Sequence, residues 1–185
     1  MAATSSAMMP LGTKAPDFKL LDTVTTSMMD LDHLKGRQGT LLMFICNHCP
    51  YVIHIKTQLI AIANSYRSQG INTVAISAND IVNYPQDAPD KMAALMAEWG
   101  FPFDAYLFDE KQSVARAYQA VCTPDLYLFD DSLQCVYRGR LDGSTPKNDV
   151  PVTGQDLRNA LDDYLAGNAV SAVQVPSIGC NIKWK

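Results

Sequence analysis

Residues 40–50 read Thr-Leu-Leu-Met-Phe-Ile-Cys-Asn-His-Cys-Pro, and this stretch limits the architecture more than any other. Leu41 to Ile45 carries no polar side chain, the pattern of a strand covered on both faces. Beyond Pro50, Val52, Ile55, Leu59, Ile62, Ala63 and Tyr66 recur at helical spacing. A buried strand thus hands over to a long helix, and Cys46 and Cys49 lie at the junction. Thiols so placed form a reversible dithiol/disulfide centre. A helix start offers unpaired N–H groups and partial positive charge, and both favour a thiolate. Cys46, at the strand exit, is expected to be the more exposed, attacking sulfur. Cys49, in the first helical turn, is expected to be more buried and to resolve a mixed disulfide. Pro50 suits a first turn, which needs no N–H from it. His48, if protonated, would stabilise the thiolate and make the disulfide more oxidising; the alternative is an exposed loop residue without an electrostatic role.

Cys-x-x-Cys is also half of a zinc site. No second Cys-x-x-Cys or His-x-x-x-His occurs, so neither a metal nor another cofactor is expected. Cys122, Cys135 and Cys180 are isolated in sequence. Cys180 could act as a third redox thiol, bridge to a partner chain or pack inertly, with packing favoured. Cys122 reads as a small buried residue that could lie near Cys46, and Cys135 as core.

The chain has 185 residues, 48% hydrophobic and 18% charged, which fits one globular domain over 1–185. Residues 1–13 read as flexible and 175–185 as a docked tail. Net charge is −4 with no basic block, which argues against nucleic-acid and anionic-membrane partners. No apolar stretch reaches transmembrane length, and the first ten residues lack the charged and apolar regions of a secretory signal. Five cysteines is an odd number, unlike a secreted disulfide framework, so a reducing, cytoplasmic location is expected.

Ala15 to Leu20 alternates as an early strand, an N-terminal extension of the sheet. Asn72 to Ser77 is a second buried strand, whose helical crossover from the first implies parallel, right-handed pairing. A polar loop over 79–89 precedes a helix marked by Met92, Leu95, Met96 and Trp99. Ala105 to Phe108 is a strand, and Val114 to Val121 marks a helix. Leu126 to Phe129 and Cys135 to Arg138 form a hairpin. A last helix runs through Leu157 to Leu165, with Thr153 as N-cap and Gly167 as C-cap. The expected fold class is α/β, a mixed central sheet with helices on both faces. Asn79 and Asp80 fall at the sheet edge that holds Cys46, where such sheets bind ligands. Tyr84 and Pro85 could line a groove there, or the loop is simply solvated.

Cys122-Thr123-Pro124-Asp125 immediately precedes the hairpin. Cys46-Asn47-His48-Cys49 after an apolar strand, with Thr123-Pro124 before a later hairpin, resembles the thioredoxin fold. Ala15-Pro16-Asp17-Phe18 resembles the opening of its peroxiredoxin and thiol-disulfide oxidoreductase branch, the AhpC/TSA type. From about Lys14 to Lys185 the chain is similar to peroxiredoxin-like proteins that carry Cys-Asn-His-Cys-Pro-Tyr, Cys-Thr-Pro-Asp and a terminal Ser-Ile-Gly-Cys-Asn-Ile-Lys-Trp, here Ser177 to Trp184.

The resemblance implies a thioredoxin-like α/β fold with a cis-proline at Pro124 facing the dithiol. It implies a thiol-disulfide oxidoreductase in which Cys46, Cys49 and His48 do the chemistry and Thr123, Pro124 and Asn47 hold substrate. Cys122, Cys180 and Asn79 are accessory candidates. The partners implied are protein or small-molecule thiols and disulfides and a thioredoxin- or glutathione-type reductant, acting on a monomer or homodimer. A thiol peroxidase of antioxidant type is an alternative, as is a non-enzymatic redox sensor or metal-binding module. Three departures stand out. Ile45 and Asn47-His48 replace the Trp and Gly-Pro of thioredoxins. Thr40 stands where thioredoxins bury an Asp as proton acceptor. Leu42 and Cys46 stand where a peroxiredoxin with Cys49 as its peroxidatic thiol would need Pro and Thr.

Overall fold

Alternation along the first core strand sets the layers. Leu41 and Met43 enter one apolar cluster and Leu42 and Phe44 another, because successive strand side chains point to opposite faces. The structure, a computed structural model, describes residues 3–185. In chain order its elements are β1 (Ala3–Ser5), β2 (Lys19–Asp22), β3 (Met28–Asp30), α1 (Leu31–Leu34), β4 (Gly39–Phe44), α2 (Pro50–Arg67) and β5 (Ile71–Ser77). A 3₁₀ turn (Pro85–Asp87), α3 (Pro89–Glu98), β6 (Ala105–Phe108), α4 (Ser113–Ala117) and β7 (Cys122–Thr123) follow. The chain ends with β8 (Asp125–Asp130), β9 (Cys135–Gly139), α5 (Gln155–Leu165) and β10 (Ile178–Asn181).

The main sheet has seven strands in the order β3-β2-β6-β5-β4-β8-β9. It is mixed: β4, β5 and β6 run parallel, while β8 lies antiparallel to β4. This is the expected α/β architecture of thioredoxin type. Side chains of α2, α3 and α5 join the cluster on one face, and those of α1 and α4 the cluster on the other. On α2, Val52, Ile55, Leu59 and Ile62 are all buried. Each contributes about 1.5–3 kcal/mol relative to exposure, so α2 is fixed against the sheet and its first turn is a rigid platform.

Three expectations change. The early strand begins at Lys19, because Ala15 instead bonds the hairpin turn, its N–H donating to the Leu133 carbonyl at 2.8 Å. Thr153 does not cap α5; Gly154 does, with φ 72°, and the Asp142 carboxylate accepts both the Thr153 and Gly154 N–H groups at 2.7 and 2.6 Å. The Asp142 carboxylate thus anchors the two residues before the helix, while the Thr153 hydroxyl accepts the Gln155 N–H at 3.2 Å from just outside the cap position. The reading of residues 1–13 as flexible falls partly outside the described residues, at Met1 and Ala2. From Ala3 to Ser5 the chain forms a strand paired with Ile178–Cys180 of the tail.

That tail is pinned at both ends. The Ser177 hydroxyl donates to the Gly139 carbonyl at 2.9 Å, and the Lys183 N–H donates to Asn79 Oδ1 at 2.8 Å. The Gln112 side-chain amide donates to the Ala78 and Lys183 carbonyls at 2.7 and 2.8 Å. Between these anchors β10 pairs antiparallel with β7, Cys180 opposite Thr123. The approach is so close that a Cβ on Gly179 would overlap the Thr123 carbonyl, which only glycine avoids.

Candidate active site

The sulfurs are placed by strand register. Phe44 of β4 faces Asp125 of β8, so the next residues of each chain segment continue toward one another and bring Cys46 to Thr123. Cys46 Sγ lies 3.6 Å from Thr123 Oγ1, and Cys49 Sγ lies 3.1 Å from the Thr123 carbonyl oxygen. The Thr123–Pro124 bond is cis. Cys49 is the N-cap residue of α2, with Pro50 at the first helical position, so its sulfur meets the unpaired N–H groups of the helix start.

Asp87 organises the other side, and the sequence reading missed it. Its carboxylate is fully buried at the end of the 3₁₀ turn. It accepts the Asn47 N–H at 2.9 Å, Asn79 Nδ2–H at 2.8 Å and His48 Nδ1 at 2.7 Å. Asp87 is the second carboxylate, after Asp80, in the loop leaving the carboxyl end of β5, and nothing local tied it to residues about forty positions earlier.

His48 thus meets Asp87 as well as Cys46. Its Nδ1 is 4.0 Å from Cys46 Sγ but bonded to Asp87, and its ring stacks on Tyr84 at 5.6 Å and 9°. Any positive charge on the imidazole is matched by a carboxylate in contact. Asn47 is likewise occupied: its amide donates to the Gln86 carbonyl at 2.9 Å and accepts from the Tyr106 hydroxyl at 3.0 Å. Asn79 bridges Asp87 to Lys183 of the tail. Cys122 is buried beneath the loop, its thiol 3.6 Å from the Pro124 carbonyl, and burial pushes its pKa far up.

Cys46 is the more exposed thiol of the pair, as expected, but only barely. Cys46 retains 2% of its surface and Cys49 none. The Asn47–His48 turn, tied to Asp87, lies beside the sulfurs, and β10 occupies the Thr123 edge. Thr123, expected to hold substrate, thus has its strand edge filled by the chain's own tail.

Electrostatics divides the two thiols. Cys49 is pushed down to about 5, first by its interaction with the Cys46 thiol, against the opposing push of burial, with further help from Thr123, Cys180 and the Val52 N–H. Cys46 is pushed up because it donates to Cys49, is buried and faces the Asp87 carboxylate. These directions favour the proton on Cys46 and the charge on Cys49, the reverse of the order the sequence favoured. The buried Asp that thioredoxins carry has no counterpart in β4, where Thr40 accepts the Gly36 N–H at 3.1 Å. With Cys49 already depressed by its donors, no separate base is required for it.

Cys46 Sγ, His48 and Asp87 also bring donor atoms within 4.8 Å of one another. These are the residues that could hold a soft or borderline metal, although the His48–Asp87 bond already satisfies two of them.

Replacing Asp87 with Asn should lower the pH at which Cys46 ionises, because the opposing charge is gone. Thiolate absorbance against pH reads this directly. An unchanged titration would show that Asp87 only shapes the loop.

A cis-proline facing a strand–helix dithiol on this mixed sheet defines a thioredoxin-like redox protein. The chain belongs to the AhpC/TSA family, whose family model matches residues 11–138. No curated protein matches it. Among solved structures, an uncharacterized conserved protein from Geobacillus kaustophilus is 50% identical, with a TM-score of 0.97 over 100% of this chain and 97% of that one. A hypothetical protein from Sinorhizobium meliloti 1021 is 43% identical, with a TM-score of 0.94 over 98% of both chains. The thioredoxin domain of a thiol-disulfide oxidoreductase from Bacteroides vulgatus shares the fold at 17% identity, with a TM-score of 0.65 over 85% of this chain and 99% of that domain. No helix among the described residues is long and apolar enough to cross a membrane.

Proposed function

We propose that the protein is a thiol-disulfide oxidoreductase working through Cys46 and Cys49. The observation that supports this reading best is the placement of both sulfurs against Thr123 beside cis-Pro124. Cys46 is the entry sulfur, since it alone of the pair reaches the surface. Its proton passes to Cys49, where the Thr123 carbonyl at 3.1 Å accepts the new S–H. The Cys46 thiolate, held by the Thr123 hydroxyl, attacks one sulfur of a substrate disulfide and expels the other as thiolate. That leaving thiolate takes the proton from Cys49. Cys49 then attacks Cys46, closing the Cys46–Cys49 disulfide and releasing the second substrate thiolate. Run backward, the cycle oxidises a dithiol.

The burial of both sulfurs favours small substrates over protein ones. Oxidised glutathione should be turned over with a dithiol reductant regenerating the enzyme, and insulin much more slowly. No consumption of any disulfide would reject the reading. The same burial supports a second reading, reduction of a hydroperoxide at Cys46, since a peroxide reaches where a protein disulfide does not. Sulfenic acid trapped on Cys46 during peroxide consumption separates that activity from disulfide exchange.

A further inference from the structure

Cys49 has a sulfur neighbour on the tail as well as on the strand. Cys180 sits on β10 opposite Thr123, and Thr123 is the residue whose carbonyl oxygen lies 3.1 Å from Cys49 Sγ. Cys46, Cys49 and Cys180 lie in one buried cluster around Thr123, and the nearby Cys180 thiol helps hold Cys49 below the usual thiol range. Cys180 is 3% exposed. Its strand is held by Ser177 on one side and Lys183 on the other. The Gly179 contact with the Thr123 carbonyl fixes the distance between the strands. The tail therefore holds Cys180 beside the Thr123 edge that Cys49 also meets in the resting fold.

We propose that Cys180 is a third redox thiol, which takes over the active-site disulfide as a Cys49–Cys180 bond and returns Cys46 to the free state. The proposal rests on the dithiol reading above and extends it. The step balances without an outside reagent. Cys180 sulfur attacks Cys49 of the Cys46–Cys49 disulfide, the Cys46–Cys49 bond breaks, its electron pair leaves on Cys46, and the Cys180 proton ends there. No net oxidation occurs; the substrate disulfide has already supplied the oxidising equivalent. In the reduced protein Cys180 is a poor nucleophile, held up by burial and by the hydrogen bond and charge of Cys49. Disulfide formation removes both contributions of Cys49, while burial, the largest cause, still opposes the thiolate and the Lys183 ammonium favours it. Oxidation of Cys49 therefore eases the ionisation of Cys180. The product would staple β10 to the first turn of α2 while Cys46 is free to meet a second substrate.

The test is thiol mapping of the full chain. Native protein is oxidised with oxidised glutathione, quenched in acid, denatured, alkylated and mapped by mass spectrometry. In Cys46→Ser protein oxidised with diamide, labelling of Cys49 and Cys180 should fall together by at least about tenfold, with the cross-linked peptide pair recovered. In oxidised wild type Cys46 should be labelled in a fraction of molecules, and in Cys180→Ser that fraction should fall to background. Full labelling of Cys49 and Cys180 in Cys46→Ser, or equal Cys46 labelling in wild type and Cys180→Ser, would overturn the proposal. If Cys180→Ser still closes the Cys46–Cys49 disulfide, the dithiol reading survives that failure. If Cys46 and Cys49 both stay labelled there, the dithiol reading itself falls.

Discussion

Serine in place of Cys46 should reduce turnover of oxidised glutathione by roughly 10³-fold or more, because a hydroxyl cannot form the covalent link on which exchange depends. The substitution changes one atom in a site whose packing is set by β4, β8 and α2, so the fold should persist. Cys49→Ser should behave differently. Attack by Cys46 still occurs, but nothing resolves the product, and a mixed disulfide with substrate should accumulate on Cys46. Intact-protein mass spectrometry after brief exposure to oxidised glutathione reads this trap. Recovery of the adduct on Cys49 in Cys46→Ser, and none on Cys46 in Cys49→Ser, would reverse the assigned roles. The electrostatics makes that comparison informative. Cys49 carries the lower pKa because of its hydrogen-bond donors, whereas Cys46 has the only access to solvent. The account holds that access decides which sulfur meets substrate, while proton transfer between the pair removes the electrostatic obstacle.

Arg138→Met should destabilise the protein by about 3–5 kcal/mol, the usual cost of stranding one member of a buried ion pair. Arg138 Nη2 donates to Asp125 Oδ2 at 3.0 Å and to the Gln119 carbonyl at 2.8 Å, and its guanidinium lies 4.6 Å from the Tyr127 ring centre. Both charged side chains are fully buried. Burial pushes the Asp125 carboxyl up and Arg138 opposes that push, so removing Arg138 leaves a carboxylate that must be protonated or stay uncompensated. Asp125 directly follows the cis-proline, which couples the loss to the active site. For a chain of this size the drop in Tm should be roughly 6–20 °C. Pairing the change with Asp125→Leu should recover much of it, since an apolar pair has no stranded charge. A fall under about 1 kcal/mol in Arg138→Met would mean that water reaches the pair.

What the sequence disclosed is what local pattern controls. The apolar run before Cys46 and the helical recurrence from Val52 to Tyr66 located β4 and α2 within a residue or two. The hairpin and the parallel crossover followed from the same periodicities, and the Thr-Pro step marked the loop opposite the dithiol. The remainder depends on encounters between distant segments. Asp87 meets His48 across 39 positions, and no spacing rule signals such a bond. The aim of His48, and with it the electrostatics of Cys46, turned on that carboxylate. The tail read as apolar enough to dock, but its seat on Thr123 depends on the missing side chain at Gly179. That seat is why the strand edge at Thr123 is filled and why Cys180 lies opposite Thr123.

The central claim is that Cys46 and Cys49 exchange a disulfide bond as a unit. It is tested most directly by equilibrating Cys180→Ser protein in glutathione buffers of graded potential and measuring, by alkylation and mass spectrometry, the state of each cysteine. The account predicts that Cys46 and Cys49 lose labelling together along one two-electron transition, with a tenfold change in ratio every 30 mV or about that, while Cys122 and Cys135 stay labelled throughout. Two cysteines that titrate separately, or remain reduced at every potential, would contradict it.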